Sequence, residues 1–346
     1  MLLLTLLGCG AGSSQGPAAD SMSPGAALSL LAQLSDDSLR GRMTTTPGAD
    51  KAAVMIAREM QRIGLTPAGD SGYFQRVPYT LRTIERPARS WTVPALAPSF
   101  AALDSVPSDR RGSSLNVLGV LNGADPALRN EYILVDAHHD HLGAVGDRVN
   151  TCTAVGADSI CNGADDDASG VVAVLLVAGE LARGPRPRRT ILFASWTGEE
   201  EGLTGARWYT EHPTRPLEQM VANLEIEMIG RPDSLAGGAG KAWLTGYERS
   251  TMGDSLAAHG IPLVPDPRPS EEFFQRSDNF ALAQRGIVAH TISSFNLHRD
   301  YHQPSDEVSR VDPAHLARVI NATARAVRLL ADGPKPAWKP GGQPPG

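Results

Sequence analysis

The chain has 346 residues, a 41% apolar share and a formal net charge of -6. That length allows one large α/β domain or two small ones. Scattered basic residues and a weakly acidic balance leave no footprint for nucleic acid and argue against polyanionic partners.

The chain starts "MLLLTLLGCGAGSSQGPAAD". Its apolar run is too short to span a bilayer, which needs about 20 residues. It has the character of a short signal-peptide core. "LLGC" resembles a bacterial lipobox, which would make Cys9 a lipidated N-terminus and the rest of residues 1–26 a flexible tether. Translation from Met22 is the alternative. Export is the favoured reading, to the periplasm or beyond, with membrane contact only through Cys9. Helices are expected over 26–35 and 47–64, where "PGADKAAVMIAREMQRIGL" repeats apolar residues at helical spacing and Gly64 follows the last turn. Residues 73–112, rich in Pro, Arg and Ser, show no sustained period and read as an irregular insert with a short strand or two at most.

From residue 115 the pattern changes. "LNVLGVL", "YILVDAHH", "RTILFASWTG", "VANLEIEMIG" and "GIVAHTIS" read as strands. The second and third are near-continuous apolar runs, as when both faces are covered. Between and after them, "SGVVAVLLVAGELARG", "LTGARWYTEH" and "DPAHLARVINATARAVRLLAD" read as helices, the last capped by Asp312. This alternation predicts an α/β fold: a three-layer sandwich with a central mixed, largely parallel sheet flanked by helices. One domain is expected over 27–332, followed by a disordered Pro/Gly tail over 333–346.

Polar clusters sit where such a sheet binds ligands, outside its C-terminal strand ends. "HHDH", "GEEEG" and "EIEMIG" end strands, "GADDDASG" opens a helix, and "RDYHQPSDE" follows the last strand. Each alone has a bland reading, as a solvated acidic turn or an acidic helix start. Five at equivalent ends do not. Close carboxylates are costly to bury unless something positive sits between them. Imidazole and carboxylate donors without thiolates suit zinc, with manganese or cobalt as alternatives. Strand alternation separates the histidines. His138 and Asp140 share a face, so His138 is the candidate ligand and Asp140 the carboxylate that orients it. His139 faces the other way, as a packing residue. His141 keeps an open role, at the rim of a substrate cleft. Cys152 and Cys161 either close a small disulfide loop, which would fit export, or remain free thiols; their spacing excludes a zinc knuckle.

Together these motifs resemble the M28 family of zinc peptidases, which includes bacterial aminopeptidases with the zinc-exopeptidase fold. "AHHDHLG" is similar to the family's His-x-Asp motif, "GADDDASG" to its bridging-aspartate motif, "TGEEEGLTG" to its Glu-Glu motif, and "EMIGRPD" and "DYHQPSDE" to its last two. The likeness runs over roughly 27–331. It implies two zinc ions per chain, one held by His138, Asp166 and Glu227, the other by Asp166, Glu200 and His302. It also implies that Glu199 is the general base acting on a water between them, and that Asp140 supports His138. Glu227 stands where aspartate is usual, Asn279 where histidine is frequent, and Ala206 where serine is frequent. The expected activity is a di-zinc aminopeptidase acting on peptides with a free N-terminus. A carboxypeptidase or dipeptidase, a single-zinc glutaminyl cyclase-like acyltransferase, and a binding protein with a relic site are the alternatives.

Overall fold

The computed structural model describes residues 22–86 and 89–346. The expected lipobox, Cys9 and most of the expected tether lie outside the described residues. The end of that tether does not behave as one. Met22 is buried in the core, and Ser23 caps a helix, α1 (Pro24–Leu34). Helix α2 (Pro47–Ile63) opens on a proline and stops at Gly64, whose φ of 88° no β-carbon favours.

Strand β1 (Thr66–Pro67) is followed by a long hairpin, β2 (Phe74–Arg86) and β3 (Arg89–Leu96), and by β4 (Arg111–Leu121). The reading of 73–112 as irregular is therefore corrected. β2 pairs antiparallel with both β3 and β4. Buried Val77, Pro78 and Tyr79 are bounded by the exposed Arg76 and half-exposed Thr80, so the apolar run is short, and the prolines and arginines of this flank hide the period.

The remaining elements follow in order. They are β5 (Tyr132–His138), the short pair β6 (Gly143–Ala144) and β7 (Ile160–Cys161), α3 (Ser169–Arg183), β8 (Thr190–Trp196), α4 (Thr204–Glu211), β9 (Met220–Ile226), β10 (Ala242–Leu244), α5 (Thr251–Ala258), β11 (Leu263–Pro265), α6 (Asn279–Ala283), β12 (Ala289–Ser293) and α7 (Pro313–Asp332). The main sheet has the order β11-β10-β12-β9-β5-β8-β4-β2-β3. It is mixed: β12, β9, β5 and β8 run parallel at its centre, and β4, β2 and β3 form an antiparallel flank.

The layers follow from strand alternation. Ile133, Val135 and Ala137 of β5 face the core shared with α1, α2, α3 and α7, whereas Tyr132 and Leu134 face the core shared with α4 and α6. Asp312 accepts the N–H groups of Ala314 and His315 at 2.9 and 3.0 Å and so starts α7.

The tail over 333–346 is also corrected, because it packs. Trp338 donates its indole N–H to Gly286 O at 3.0 Å and meets Phe274 edge-on at 6.3 Å. Lys339 N donates to Arg249 O at 2.8 Å. One aromatic anchor outweighs a composition that reads as disordered. Cys152 and Cys161 form a disulfide.

Candidate active site

The C-terminal ends of the four parallel strands deliver the polar clusters to one place. β5 ends at His138; β8 ends three residues before Glu199; β9 ends one residue before Glu227; β12 leads into the loop that carries His302. Asp166 lies in the irregular turn ahead of α3, where its peptide bond to Asp167 is cis.

Asp166 stands at the centre. One carboxylate oxygen lies 3.4 Å from His138 Nε2; the other lies 3.2 Å from His302 Nε2 and 3.8 Å from His141 Nδ1. Glu200 reaches His141 Nδ1 at 2.7 Å and His302 Nε2 at 3.2 Å. Ligand atoms of two triads gather within 4.8 Å: His138, Asp166 and Glu227, and His141, Asp166 and Glu200. Every residue expected as a ligand is thus brought to one cleft. His141, expected at a rim, is instead fully buried against Glu200. Sequence reasoning left it open because alternation says nothing about a residue past the strand end.

His139 faces away, with Nδ1 3.0 Å from Ser195 Oγ. Burial, then Arg42 and His138, push its pKa down to about 3. The Asp140 carboxylate, expected to orient His138, stands 3.8 Å from its Nδ1 and bonds elsewhere. It accepts the backbone N–H of Glu199 at 3.1 Å and of Glu200 at 3.4 Å, while the Asp140 main-chain oxygen lies 3.2 Å from His138 Nδ1. Glu201 neighbours Thr44 and Asp140 rather than the triads.

The charge balance is unfavourable for the protein's own groups alone. Burial, aided by Glu227 and Glu200, raises Glu199 well above the carboxylate range. Burial and Glu225 bring Glu227 up to about 8. Burial and Asp166 push Glu200 upward, but His141 and His302 outweigh them and hold it at about 2. Burial lowers His302, yet Asp166 and Glu200 carry it up to about 10. His138 Nε2 and Glu200 Oε1 are buried and face only other site groups, Asp166 at 3.4 Å and His141 at 2.7 Å, with no well-aligned hydrogen bond among the described residues. Poorly paired donor atoms beside crowded carboxylates are what a divalent cation resolves, so the residues fit a metal.

Residues that sequence reasoning missed hold this arrangement. The Asp167 carboxylate accepts from Gly170 N and Met228 N, both at 3.0 Å. Asp165 accepts from Gly230 N at 2.6 Å and meets His298 Nε2 at 3.0 Å. Asp306 accepts the N–H of Asp165 at 3.0 Å, of Asp166 at 3.1 Å, and of the Arg231 guanidinium at 3.1 Å. Arg42, fully buried, donates to His139 O at 2.8 Å, Asn162 O at 2.5 Å, Gly163 O at 3.0 Å and Leu34 O at 2.7 Å. It ties the loop after His138 to the loop before Asp166. For the acids, the sequence signal was an excess beyond the ligand count.

The model of peptidase family M28 matches residues 116–327. The chain belongs to peptidase family M28. A vacuolar membrane protease of Verticillium alfalfae is 27% identical over 186 residues, which are 51% of this chain and 17% of that protein. The chain therefore spans far less than two thirds of that relative. A zinc aminopeptidase of Bacillus subtilis shares the fold at a TM-score of 0.66 and 16% identity, over 90% of this chain and 96% of that one. A glutaminyl cyclase of Porphyromonas gingivalis shares it at 0.58 and 14%, over 89% and 99%. The M28 match spans β4 to α7 and so contains every candidate ligand; Arg42 lies ahead of it.

Proposed function

We propose that this M28 peptidase is a zinc-dependent aminopeptidase acting on peptides with a free N-terminus. The observation that carries the reading is the convergence of His138 and Glu227, and of Glu200, His141 and His302, on one carboxylate, Asp166, beside the half-buried Glu199. His138, Asp166 and Glu227 would hold one ion, and Asp166, Glu200 and His302 the other, with His141 against Glu200. Bound zinc supplies Lewis acidity to the attacking water and the scissile carbonyl.

Glu199 takes a proton from the attacking water and returns it to the leaving amine. Burial raises the proton affinity of Glu199, and the positive charge of bound zinc would offset this and leave it ionised to act as the base. Asp140 holds the Glu199–Glu200 turn through its two backbone N–H groups. The carboxylate-rich cleft also attracts the ammonium group of a peptide N-terminus, which selects the chain end.

One observation favours a second reading. A glutaminyl cyclase shares this fold. A single ion at Asp166, Glu200 and His302 would fit a glutaminyl cyclase-like acyltransferase, and one zinc per chain with cyclising activity would establish it. A carboxypeptidase or dipeptidase would use the same machinery on other chain ends.

The disulfide supports export, because such bonds persist in oxidising compartments. Among the described residues no helix is long and apolar enough to cross a membrane. A lipid anchor at Cys9 would then be the route to a membrane.

The test compares aminoacyl and N-blocked aminoacyl chromogenic substrates, with chelation and metal add-back. Cleavage of the free-amine series alone, lost on chelation and restored by zinc, is expected. Equal cleavage of the blocked series would refute aminopeptidase action.

A further inference from the structure

The cleft beside the triads is open to solvent and has a cavity volume of ≈ 40 Å³. Besides the site carboxylates and His302, Met228, Trp243, Phe273, Phe295, Tyr301 and Arg276 line it. The rings form a continuous series. Trp243 stacks on Phe273 at 5.2 Å, Phe273 meets Phe295 at 5.8 Å, Phe295 packs on Tyr301 at 4.9 Å, and Tyr301 stacks on His302 at 3.8 Å. These walls suit a side chain with apolar bulk.

Thr245, Thr291 and Ser293 add hydroxyls to the lining, and two donor groups there lack a strong partner. The Arg276 guanidinium sits 4.9 Å above the Phe273 ring, and the carboxylate nearest to it, Glu271, is 3.7 Å away and 40% exposed. That is a weak, solvent-screened pair. Trp243 is 1% exposed, yet its indole N–H has no hydrogen-bond partner among the described residues. Buried N–H groups are almost always paired. Both groups are donors, and both lie against the same ring, Phe273. An aliphatic side chain would leave the indole N–H unpaired and strip water from the guanidinium. A carboxylate is an acceptor for both, and guanidinium matches it with two parallel bonds.

We propose that Arg276 and Trp243 form a carboxylate-binding subsite in this cleft, so that favoured substrates carry a carboxylate close to the scissile bond. The carboxylate has two possible sources: the acidic side chain of the N-terminal residue, or the C-terminal carboxylate of a dipeptide. The proposal rests on the peptidase reading and adds its substrate class.

Acid and amide pairs isolate the charge. Glu- and Gln-p-nitroanilide test the side-chain source; Leu-Leu and Leu-Leu-amide test the C-terminal source. For one pair, the wild-type kcat/KM for the acid exceeds that for the amide by roughly 10-fold or more. Arg276→Gln lowers that ratio by a similar factor, and Trp243→Phe lowers it less. Ratios near one for both pairs in the wild type, or ratios unchanged in both variants, overturn the subsite. Should one variant fail to fold, the other still reads the ratio. If no free-amine substrate is cleaved, the peptidase reading fails by itself. Calorimetric titration of glutamate against glutamine, and of the dipeptide against its amide, then reads the subsite separately. Equal affinities within both pairs overturn it, and an acid preference that Arg276→Gln removes upholds it.

Discussion

The carboxylate of Asp140 accepts the backbone N–H groups of both Glu199 and Glu200, at 3.1 and 3.4 Å. Through this one side chain, the strand end that carries His138 fixes the turn that carries the proposed base and a proposed ligand. Asp140→Asn keeps one acceptor and sets a donor against a donor. Its kcat is expected to fall roughly 10–100-fold, with zinc affinity falling by no more than that. Steady-state kinetics beside zinc titration checks this, and a variant with wild-type kcat would contradict it.

Arg42 supplies buried carbonyl groups on three segments with their donor. Arg42→Met leaves those carbonyls unsatisfied and is expected to cost about 3–5 kcal/mol of stability. It also loosens the loops of His138 and Asp166, so zinc affinity drops with it. Arg42→Lys recovers only part, because an ammonium cannot reproduce the planar fork. Urea unfolding and zinc titration of the three proteins give the comparison. Arg42→Met within about 1 kcal/mol of wild type would remove the clamp from the account.

The fold's centre was legible because buried parallel strands write near-continuous apolar runs. Tyr132–His138 and Thr190–Trp196 stand out in the letters. The flank was not legible, since its buried run over residues 77–79 is short, carries a proline and is bounded by polar neighbours, and solvent covers part of the hairpin. The site followed the same division. His138, Asp166, Glu199, Glu200, Glu227 and His302 lie in recognisable motifs at strand or helix ends. Arg42, Asp165, Asp167 and Asp306 act by binding backbone groups far away in sequence, and nothing local marks such contacts. Trp338 shows the same limit in the tail, where a single packed ring decides against a disordered composition.

Stability should fall in mild acid for a reason away from the site. Burial lowers the pKa of His290 from 6.5 to about 4, and burial likewise lowers His315 to about 4. Both are therefore neutral in the folded protein. Between pH 6.5 and about 4 the unfolded chain binds more protons, so stability is full above 6.5 and is lost as pH falls through that window. At pH 5 the loss is about 2 kcal/mol per histidine. Urea midpoints measured at pH 7.5 and pH 5 should show it, and His290→Asn should flatten the pH dependence. An unchanged slope in that variant would contradict the assignment.

The Cys152–Cys161 disulfide closes a short loop at a sequence separation of 9. Closing a loop of that size is worth about 2–3 kcal/mol through the unfolded chain. Cys152→Ser with Cys161→Ser should lose that amount in urea unfolding and become insensitive to reductant. A double variant as stable as the oxidised wild type would show that the bond adds nothing.

The most direct measurement sets kcat beside zinc content in Glu199→Gln and Glu200→Gln. The account predicts that Glu199→Gln keeps the zinc content of the wild type and loses about 10³-fold in kcat. Glu200→Gln should lose both zinc and activity. A Glu199→Gln enzyme with wild-type turnover, or a Glu200→Gln enzyme with full zinc content, would contradict the division of the two glutamates into base and ligand.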